Sequence, residues 1–329
     1  MKIAIVKLSS LGDIVHSMVV LQFIKKHYPE SVIDWVVDKR FKGIVENNPH
    51  INQIHTVNLA EIKRNKSLKS LLIELSKIKK FGEYDVVIDL QGLIKSSIVS
   101  KFIGSRKIVG FDKQSIRERL ASIFYNKKFA IDNDMNTIQR YVVLISEALK
   151  IIITKDDITN KESYLFSKSN FFISQTPYIV FVVGSTWESR NYPKEKYVQV
   201  ANAIKKDCLV VWGNEQEKEK AEWMSSESNY VQAMPKLSLD DLKNVIGHAS
   251  LLIGNDTGPS HMSWALNVPS IVLFGPTPVE RSFQTPVNQV LKSNSQINHM
   301  KLNKKDFSIK EISVNDIVKM AKHLLQISL

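Results

Sequence analysis

The 329-residue chain contains a single cysteine, Cys208, so no disulfide can form within it. Its setting, Cys208-Leu209-Val210-Val211-Trp212, is an apolar run. A free Cys there reads as a buried strand residue, not a nucleophile, and the lack of disulfides fits a reducing compartment. Long hydrophobic runs are missing as well. No stretch approaches the ~18 apolar residues that mark a membrane span. The first residues, Met1-Lys2-Ile3-Ala4-Ile5-Val6-Lys7, place four apolar residues between two lysines, where a secretory signal uses about 7–15. The expectation is a cytoplasmic protein. There is no Gly-x-Gly-x-x-Gly after the first apolar run, which argues against a nicotinamide dehydrogenase. There is no Gly-Lys-Ser/Thr of a P-loop, and neither the scattered histidines nor the lone Cys has the spacing of a zinc site. Short-period repeats and low-complexity tracts are absent too.

What is present suits a folded, soluble chain. Hydrophobic residues make up 43% and charged residues 24%, and the length supports about two domains, each with its own core. The charge is unevenly spread. Residues 1–150 carry 25 Lys and Arg against 15 Asp and Glu, an excess of +10, while residues 151–329 carry 20 against 18, an excess of +2. A basic half reads either as a solvated surface or as one that attracts phosphate, on lipid headgroups or nucleic acid.

Apolar runs alternate with helical patterns. Strands are expected over 3–6, 32–37, 53–57, 84–89 and 107–110, and helices over 14–26, 41–46, 67–80, 93–102 and 136–149. Such alternation predicts a parallel sheet covered by helices. A polar, irregular stretch over 151–176 reads as a linker. The pattern then restarts, with strands over 178–183, 209–212, 251–254 and 270–274 and helices over 194–205, 215–225, 239–248 and 260–266. The expected fold is α/β: two Rossmann-like domains, 1–155 and 176–313, facing across a cleft. A final helix over 314–329 is expected to pack back on the first domain.

Four turns at the carboxyl ends of expected strands carry the chemistry, since ligands of open α/β sheets bind there. Asn255-Asp256-Thr257-Gly258-Pro259-Ser260-His261 lies between a strand and a helix. Asp256 or Thr257 can cap that helix, Pro259 suits its first turn, and Gly258 lets a ligand approach the backbone. A helix N-terminus favours a diphosphate. Gly184-Ser185-Thr186-Trp187-Glu188-Ser189-Arg190 offers two hydroxyls and a guanidinium to phosphate. Trp212-Gly213-Asn214-Glu215-Gln216-Glu217 offers a carboxylate for ribose hydroxyls. Lys7-Leu8-Ser9-Ser10-Leu11-Gly12-Asp13 ends the first strand with a carboxylate that also reads as a helix cap. Gln91-Gly92-Leu93-Ile94-Lys95 and the basic residues Lys63, Arg64, Arg117 and Arg140 can line the opposite wall, although each charge singly also reads as a solvated face.

Lys7-Leu8-Ser9-Ser10-Leu11-Gly12-Asp13-Ile14-Val15-His16, Asp34-Trp35-Val36-Val37, Asp89-Leu90-Gln91-Gly92-Leu93-Ile94-Lys95-Ser96, Phe124-Tyr125-Asn126 and Asp256-Thr257-Gly258-Pro259-Ser260-His261 together resemble the lipopolysaccharide heptosyltransferases of glycosyltransferase family 9. The resemblance spans nearly the whole chain and is nearer to type I than to type II. It implies the GT-B fold and an enzyme peripheral on the cytoplasmic face of the inner membrane. The implied reaction is an inverting, metal-independent transfer of L-glycero-D-manno-heptose from ADP-heptose to the first Kdo sugar of Kdo-lipid A. No cofactor and no nucleic acid enter it. By the same resemblance Asp13 is the general base, with Ser10 and Gly12 beside the acceptor. Ser185, Thr186 and Arg190 hold the diphosphate together with Thr257 and Gly258. Glu217 binds ribose, Leu237 lies near adenine, Asp256 contacts the heptose, and His261 is counted among the donor-binding residues. Lys63, Arg64, Lys95, Arg117 and Arg140 meet acceptor charges. Arg190 stands where the family often has Lys and keeps the charge, whereas Leu237 stands where a Met is common, which leaves the detail of the adenine packing open.

Two other readings remain open from the residues alone. One is a GT-B enzyme using a different nucleotide sugar, or an epimerase on that fold. The other is a nucleotide- or nucleic-acid-binding module using the basic half. The latter calls for aromatics interleaved with basic residues, whereas the lysines here alternate with helix-forming apolar residues.

Overall fold

Parallel strands buried on both faces read as unbroken apolar runs, and the central strands here are such runs. In the computed structural model, which describes residues 1–58, 68–171, 176–297 and 302–327, the chain divides into two units, Met1–Tyr164 and Leu165–Leu329. The first holds β1 (Lys2–Val6), β2 (Val32–Asp38), β3 (Gln53–Val57), β4 (Val86–Asp89), β5 (Ile108–Phe111) and β6 (Lys127–Phe129), in the order β3-β2-β1-β4-β5-β6. The second holds β7 (Ile179–Val182), β8 (Cys208–Val211), β9 (Val231–Ala233), β10 (Leu251–Asn255), β11 (Ser270–Phe274) and β12 (Asn288–Lys292), in the order β12-β11-β10-β7-β8-β9. All pairings are parallel. Each sheet is doubly wound from its first strand, so the connections leave β1 and β4, and likewise β7 and β10, toward opposite sides. The crevice this opens at the carboxyl ends is where such folds take ligands.

In the register, Val6 of β1 stands beside Asp89 of β4, and Val182 of β7 beside Gly254 of β10. The residues just beyond these pairs therefore form the two switch points. Phe181, Tyr197, Ile253 and Leu273 lie in the core of the second unit, and Val6, Leu8, Val36 and Val87 in that of the first. Cys208 opens β8 and is buried, and desolvation pushes its thiol up to about 12. It is a strand residue with no reactive thiolate at neutral pH.

Three departures from the sequence reading have physical causes. The strands β6, β9 and β12 were not expected; all are sheet edges with sequences KKF, VQA and NQVLK, only partly buried and without an apolar run. The stretch after residue 150 is more than a polar linker. It contains the helix Lys155–Thr159, capped by Thr154 and Asp157, and buries Ile151, Ile158 and Tyr164 within the first unit. The final helix, Val314–Ile327, belongs to the second unit, against the expectation that it packs on the first. Its Ile317, Ala321, Leu324 and Leu325 enter the second core beside the helix Lys194–Ile204 and strands β10 and β11. Helical spacing reveals an apolar stripe but not which surface receives it. Each fully buried Ile or Leu stabilises that docking by about 1.5–3 kcal/mol.

Candidate active site

In the first unit, β1 runs directly into the Lys7–Asp13 loop. Lys7 is buried, and its Nζ donates to the Leu90 carbonyl (3.2 Å) and the Tyr141 hydroxyl (2.7 Å). From the end of β4, Gln91 turns back: its Oε1 accepts from the Leu8 amide (2.7 Å) and the Ser9 amide (3.2 Å). Asp89 shapes that turn by accepting from the Gln91 and Gly92 amides at 2.8 and 3.2 Å, and Gly92 takes a φ of +68°, a conformation Gly adopts without strain. Lys95 reaches across to the Ser9 hydroxyl at 2.7 Å. The two loops of the switch point are thus joined through Gln91, Ser9 and Lys95.

The helix after β1 starts at Leu11, three residues before the sequence expectation, because Ser10 and Asp13 form its cap. The Ser10 amide (3.2 Å) and hydroxyl (2.7 Å) both donate to Oδ2 of Asp13, while Gly12 lies buried in the first turn. Burial works to raise the Asp13 carboxyl, but the charge of Lys7, the bonds from Ser10 and nearby His16 outweigh it and hold the group below its ordinary range. Asp13 is therefore a carboxylate at neutral pH. Ser10, Gly12, Asp13 and Lys95 are brought together. Arg140 stands near, donating to the Ser115 carbonyl, with its guanidinium 5.2 Å over the Phe111 ring and its charge felt at Lys7. Arg117 has its side chain 88% exposed and approaches Glu118 at 4.0 Å. Lys63 and Arg64 lie outside the described residues.

In the second unit the switch point is built on Asp256. Its Oδ1 takes Nε2 of His261 at 3.0 Å, and its Oδ2 accepts from Arg190 Nη2 at 2.7 Å and the Thr277 hydroxyl at 2.9 Å. Arg190 also donates to the Asp256 carbonyl. Burial works to raise the Asp256 carboxyl. The His261 hydrogen bond and the charges of Arg190, His261 and Arg281 overcome it and hold the group far below the carboxylate range. Asn255 ties the neighbouring loop down, with its Oδ1 accepting from the Tyr192 amide (3.0 Å) and the Tyr197 hydroxyl (3.2 Å). Thr257 is the N-cap residue of the helix Gly258–Ala265 and leaves its side chain out of the cap. On the loop after β7, the hydroxyls of Ser185 and Ser189 and Nε of Arg190 are buried without a hydrogen-bond partner among the described residues. Buried donors in that state call for an acceptor from outside. Arg190 is tied through Asp256 to the residue just before this helix, and a cation beside a helix N-terminus favours an anion.

Glu217 sits on the adjoining turn. It accepts from the Gly213 amide and the Asn214 side-chain amide, both at 2.7 Å. A Cβ on Gly184 would meet its Cδ at 2.0 Å, so the carboxylate rests directly on the backbone that follows β7. Gly184→Ala is expected to push Glu217 off these donors while the fold survives, because a side-chain tip yields before backbone does. At roughly 1–3 kcal/mol for such overpacking, urea unfolding of the variant should show a loss of that size; unchanged stability would mean that the carboxylate does not rest on this backbone. Leu237, partly exposed, follows a segment fixed by Trp212 Nε1 on the Met234 carbonyl (2.6 Å) and Lys236 Nζ on the Gly213 carbonyl (2.7 Å). Thr186 is exposed in its loop. The sequence reading missed Ser189, Thr277 and Arg281. Thr277 and Arg281 follow β11, so the rule that sites gather after strand ends already pointed at them.

Two successive doubly wound parallel units are the two Rossmann-like domains of the GT-B fold. The chain's lineage follows from similarity along its length: it belongs to glycosyltransferase family 9 (heptosyltransferase), whose profile matches residues 75–312. Lipopolysaccharide heptosyltransferase 1 of Campylobacter coli is 39% identical over 98% of this chain and 99% of that protein. Lipopolysaccharide heptosyltransferase 1 of Pseudomonas aeruginosa is 29% identical over 84% and 79%. The solved structure of Escherichia coli heptosyltransferase WaaC with ADP-2-deoxy-2-fluoro heptose shares the fold, with a TM-score of 0.81, 23% identity, and 98% of this chain and 99% of that chain covered.

Proposed function

We propose that the protein transfers L-glycero-D-manno-heptose from ADP-heptose to the first Kdo of Kdo-lipid A, with inversion, in lipopolysaccharide inner-core synthesis. The observation that supports this reading is Arg190 clamped on Asp256 just before a helix start, with the unpartnered Ser185 and Ser189 hydroxyls on the same loop as Arg190. The relatives named above support heptose as the sugar, and the ADP-sugar analogue held by the E. coli protein supports ADP-heptose as donor. In this reading Arg190, Ser185, Thr186 and the backbone at Thr257 and Gly258 take the diphosphate. Glu217 takes ribose, and Leu237 lies at adenine. Asp256 has three donors on its two oxygens, and a carboxylate accepts about four, which leaves one position on Oδ1 for a heptose hydroxyl.

Asp13 removes the proton from the acceptor hydroxyl as that oxygen bonds to the anomeric carbon. The bond from that carbon to ADP breaks, and the departing charge is balanced by Arg190 and the helix dipole, so the proposal requires no metal ion. Lys95, Arg117 and Arg140 are assigned to the acceptor's anionic groups. No helix among the described residues is long and apolar enough to cross a membrane; we assign the enzyme to the cytoplasmic membrane face that holds its lipid acceptor.

The deciding assay is ADP release from ADP-heptose with purified Kdo-lipid A, run with and without EDTA. Activity in both is expected, and no turnover of that pair would reject the assignment. In calorimetry Arg190→Ala should weaken ADP binding by roughly 1.5–3 kcal/mol, the worth of a charged hydrogen bond. Equal affinity of the variant, or a preference for UDP, would take the diphosphate away from this turn.

A further inference from the structure

Four large apolar side chains of the first unit stand in water on neighbouring segments: Leu72 and Ile73 on the helix Leu68–Ile78, and Leu120 and Ile123 on the 3₁₀ turn Arg119–Phe124. The helix Ile94–Ile103 contacts both segments and lies between them. The turn is the better defined feature. In a 3₁₀ helix residues three apart eclipse one another, so Leu120 and Ile123 project on one side, 63% and 69% exposed, while Ala121 and Ser122 between them are buried. The turn is held at both ends. Glu118 accepts from the Ile94 amide at 2.8 Å, and Tyr125 donates to Asp89 at 2.7 Å. The apolar pair is thus presented by a fixed backbone.

Cations flank it along the chain. Lys113, Arg119, Lys127 and Lys128 are all exposed, and the acidic side chain among them, Glu118, accepts from the Ile94 amide and approaches Arg117 at 4.0 Å. Two aliphatic tips in a basic rim match a surface with an apolar interior and anionic headgroups. A protein partner favours a contact core depleted of charge, and single-stranded nucleic acid calls for aromatic platforms, which the tip lacks.

We propose that the Arg119–Phe124 turn docks the protein on an anionic lipid bilayer, with Leu120 and Ile123 entering the headgroup region and the flanking Lys and Arg holding the phosphates. This deepens the proposed function, resting on it only for the bilayer as the place where the acceptor is found.

The test uses the full chain and vesicles of phosphatidylglycerol with phosphatidylethanolamine, against phosphatidylcholine alone. The wild type should sediment with the anionic vesicles and release as salt rises. Leu120→Ser with Ile123→Ser, which leaves the charge unchanged, should lower vesicle affinity at least tenfold. Ile123→Trp should shift its emission to the blue on adding anionic vesicles. ADP affinity and turnover of a de-acylated, water-soluble acceptor should be unchanged in the double variant. Full vesicle affinity of the double variant, or a Trp emission that does not move, overturns the docking role. A wild-type dimer that the double variant dissolves assigns the turn to a second copy instead, and loss of turnover on the soluble acceptor assigns it to the acceptor site. Absence of wild-type vesicle binding, with soluble turnover intact, overturns the docking and leaves the proposed reaction standing.

Discussion

Asp13→Asn is expected to lower turnover with Kdo-lipid A on the order of 10²–10⁴-fold, the usual worth of a positioned general base, while ADP affinity stays near wild type. An acceptor hydroxyl is a poor nucleophile until its proton is leaving, and Asn cannot take that proton. The competing role for Asp13 is structural. Its Oδ2 caps the helix start by accepting from the Ser10 amide and hydroxyl, and an Asn oxygen accepts the same bonds. What the fold loses is the negative charge beside buried Lys7 and the helix N-terminus, a cost of at most about 2 kcal/mol. A thermal melt close to wild type together with collapsed turnover therefore separates base from cap. Near-normal turnover would place the base elsewhere, with Asp256 the next candidate.

The same geometry sets a pH dependence. Burial alone would raise Asp13, and Lys7 is the first cause that reverses it. A carboxyl held below its ordinary range stays ionised, and base-competent, until the pH falls through that lowered value. Lys7→Met should move the acidic limb of kcat/KM to higher pH. An unmoved limb would detach the limb from Asp13.

The second large effect is expected at Asp256. Asp256→Ala leaves Arg190 buried without its counter-charge and strips His261 and Thr277 of their shared acceptor. Breaking one side of a buried pair costs about 3–5 kcal/mol, and urea unfolding of the variant should show a loss of that size. Because Asp256 is held far below the carboxylate range, its stabilising contribution is complete above the ordinary carboxylate value and fades only as the pH falls through the depressed one. ADP binding should weaken along with stability, since Arg190 no longer has a fixed direction. The double variant with Arg190→Ala separates the two effects: stability should recover part of the loss, as coupled partners do, while ADP binding should not. A double variant as unstable as both single losses added would mean that the pair is not the source.

Much of this site was legible before any tertiary contact was known. Gly12, Gly184 and Gly258, the acidic Asp13, Glu217 and Asp256, and Arg190 all fall within seven residues of an apolar run's end, and strand ends are where a doubly wound sheet keeps its ligands. Less legible were residues whose role depends on a partner. Thr277 is an ordinary hydroxyl between two prolines until it donates to Asp256. Ser189 reads as one more polar loop residue until its burial without an acceptor is seen. Gln91 lay in a recognised segment, yet its bonds to the Leu8 and Ser9 amides cross 83 and 82 positions.

The sequence by itself determined the alternation of strand and helix, the existence of two α/β domains, the helix caps and the turns that carry chemistry. These follow from local rules: apolar runs must be buried, helix starts need side-chain acceptors, and tight turns favour Gly. Only the tertiary structure decided the edge strands β6, β9 and β12, which pair because a neighbour offers its free edge and not because their own residues demand it. It also decided that the last helix belongs to the second core, since an amphipathic stripe fits any apolar surface of the right width. And it decided the networks Lys7–Asp13, Arg190–Asp256–Thr277 and Gly184–Glu217. The first is set within one strand-to-helix turn, where burial and charge settle the protonation. The other two join loops far apart in sequence, and parallel register is what brings those loops within hydrogen-bonding reach.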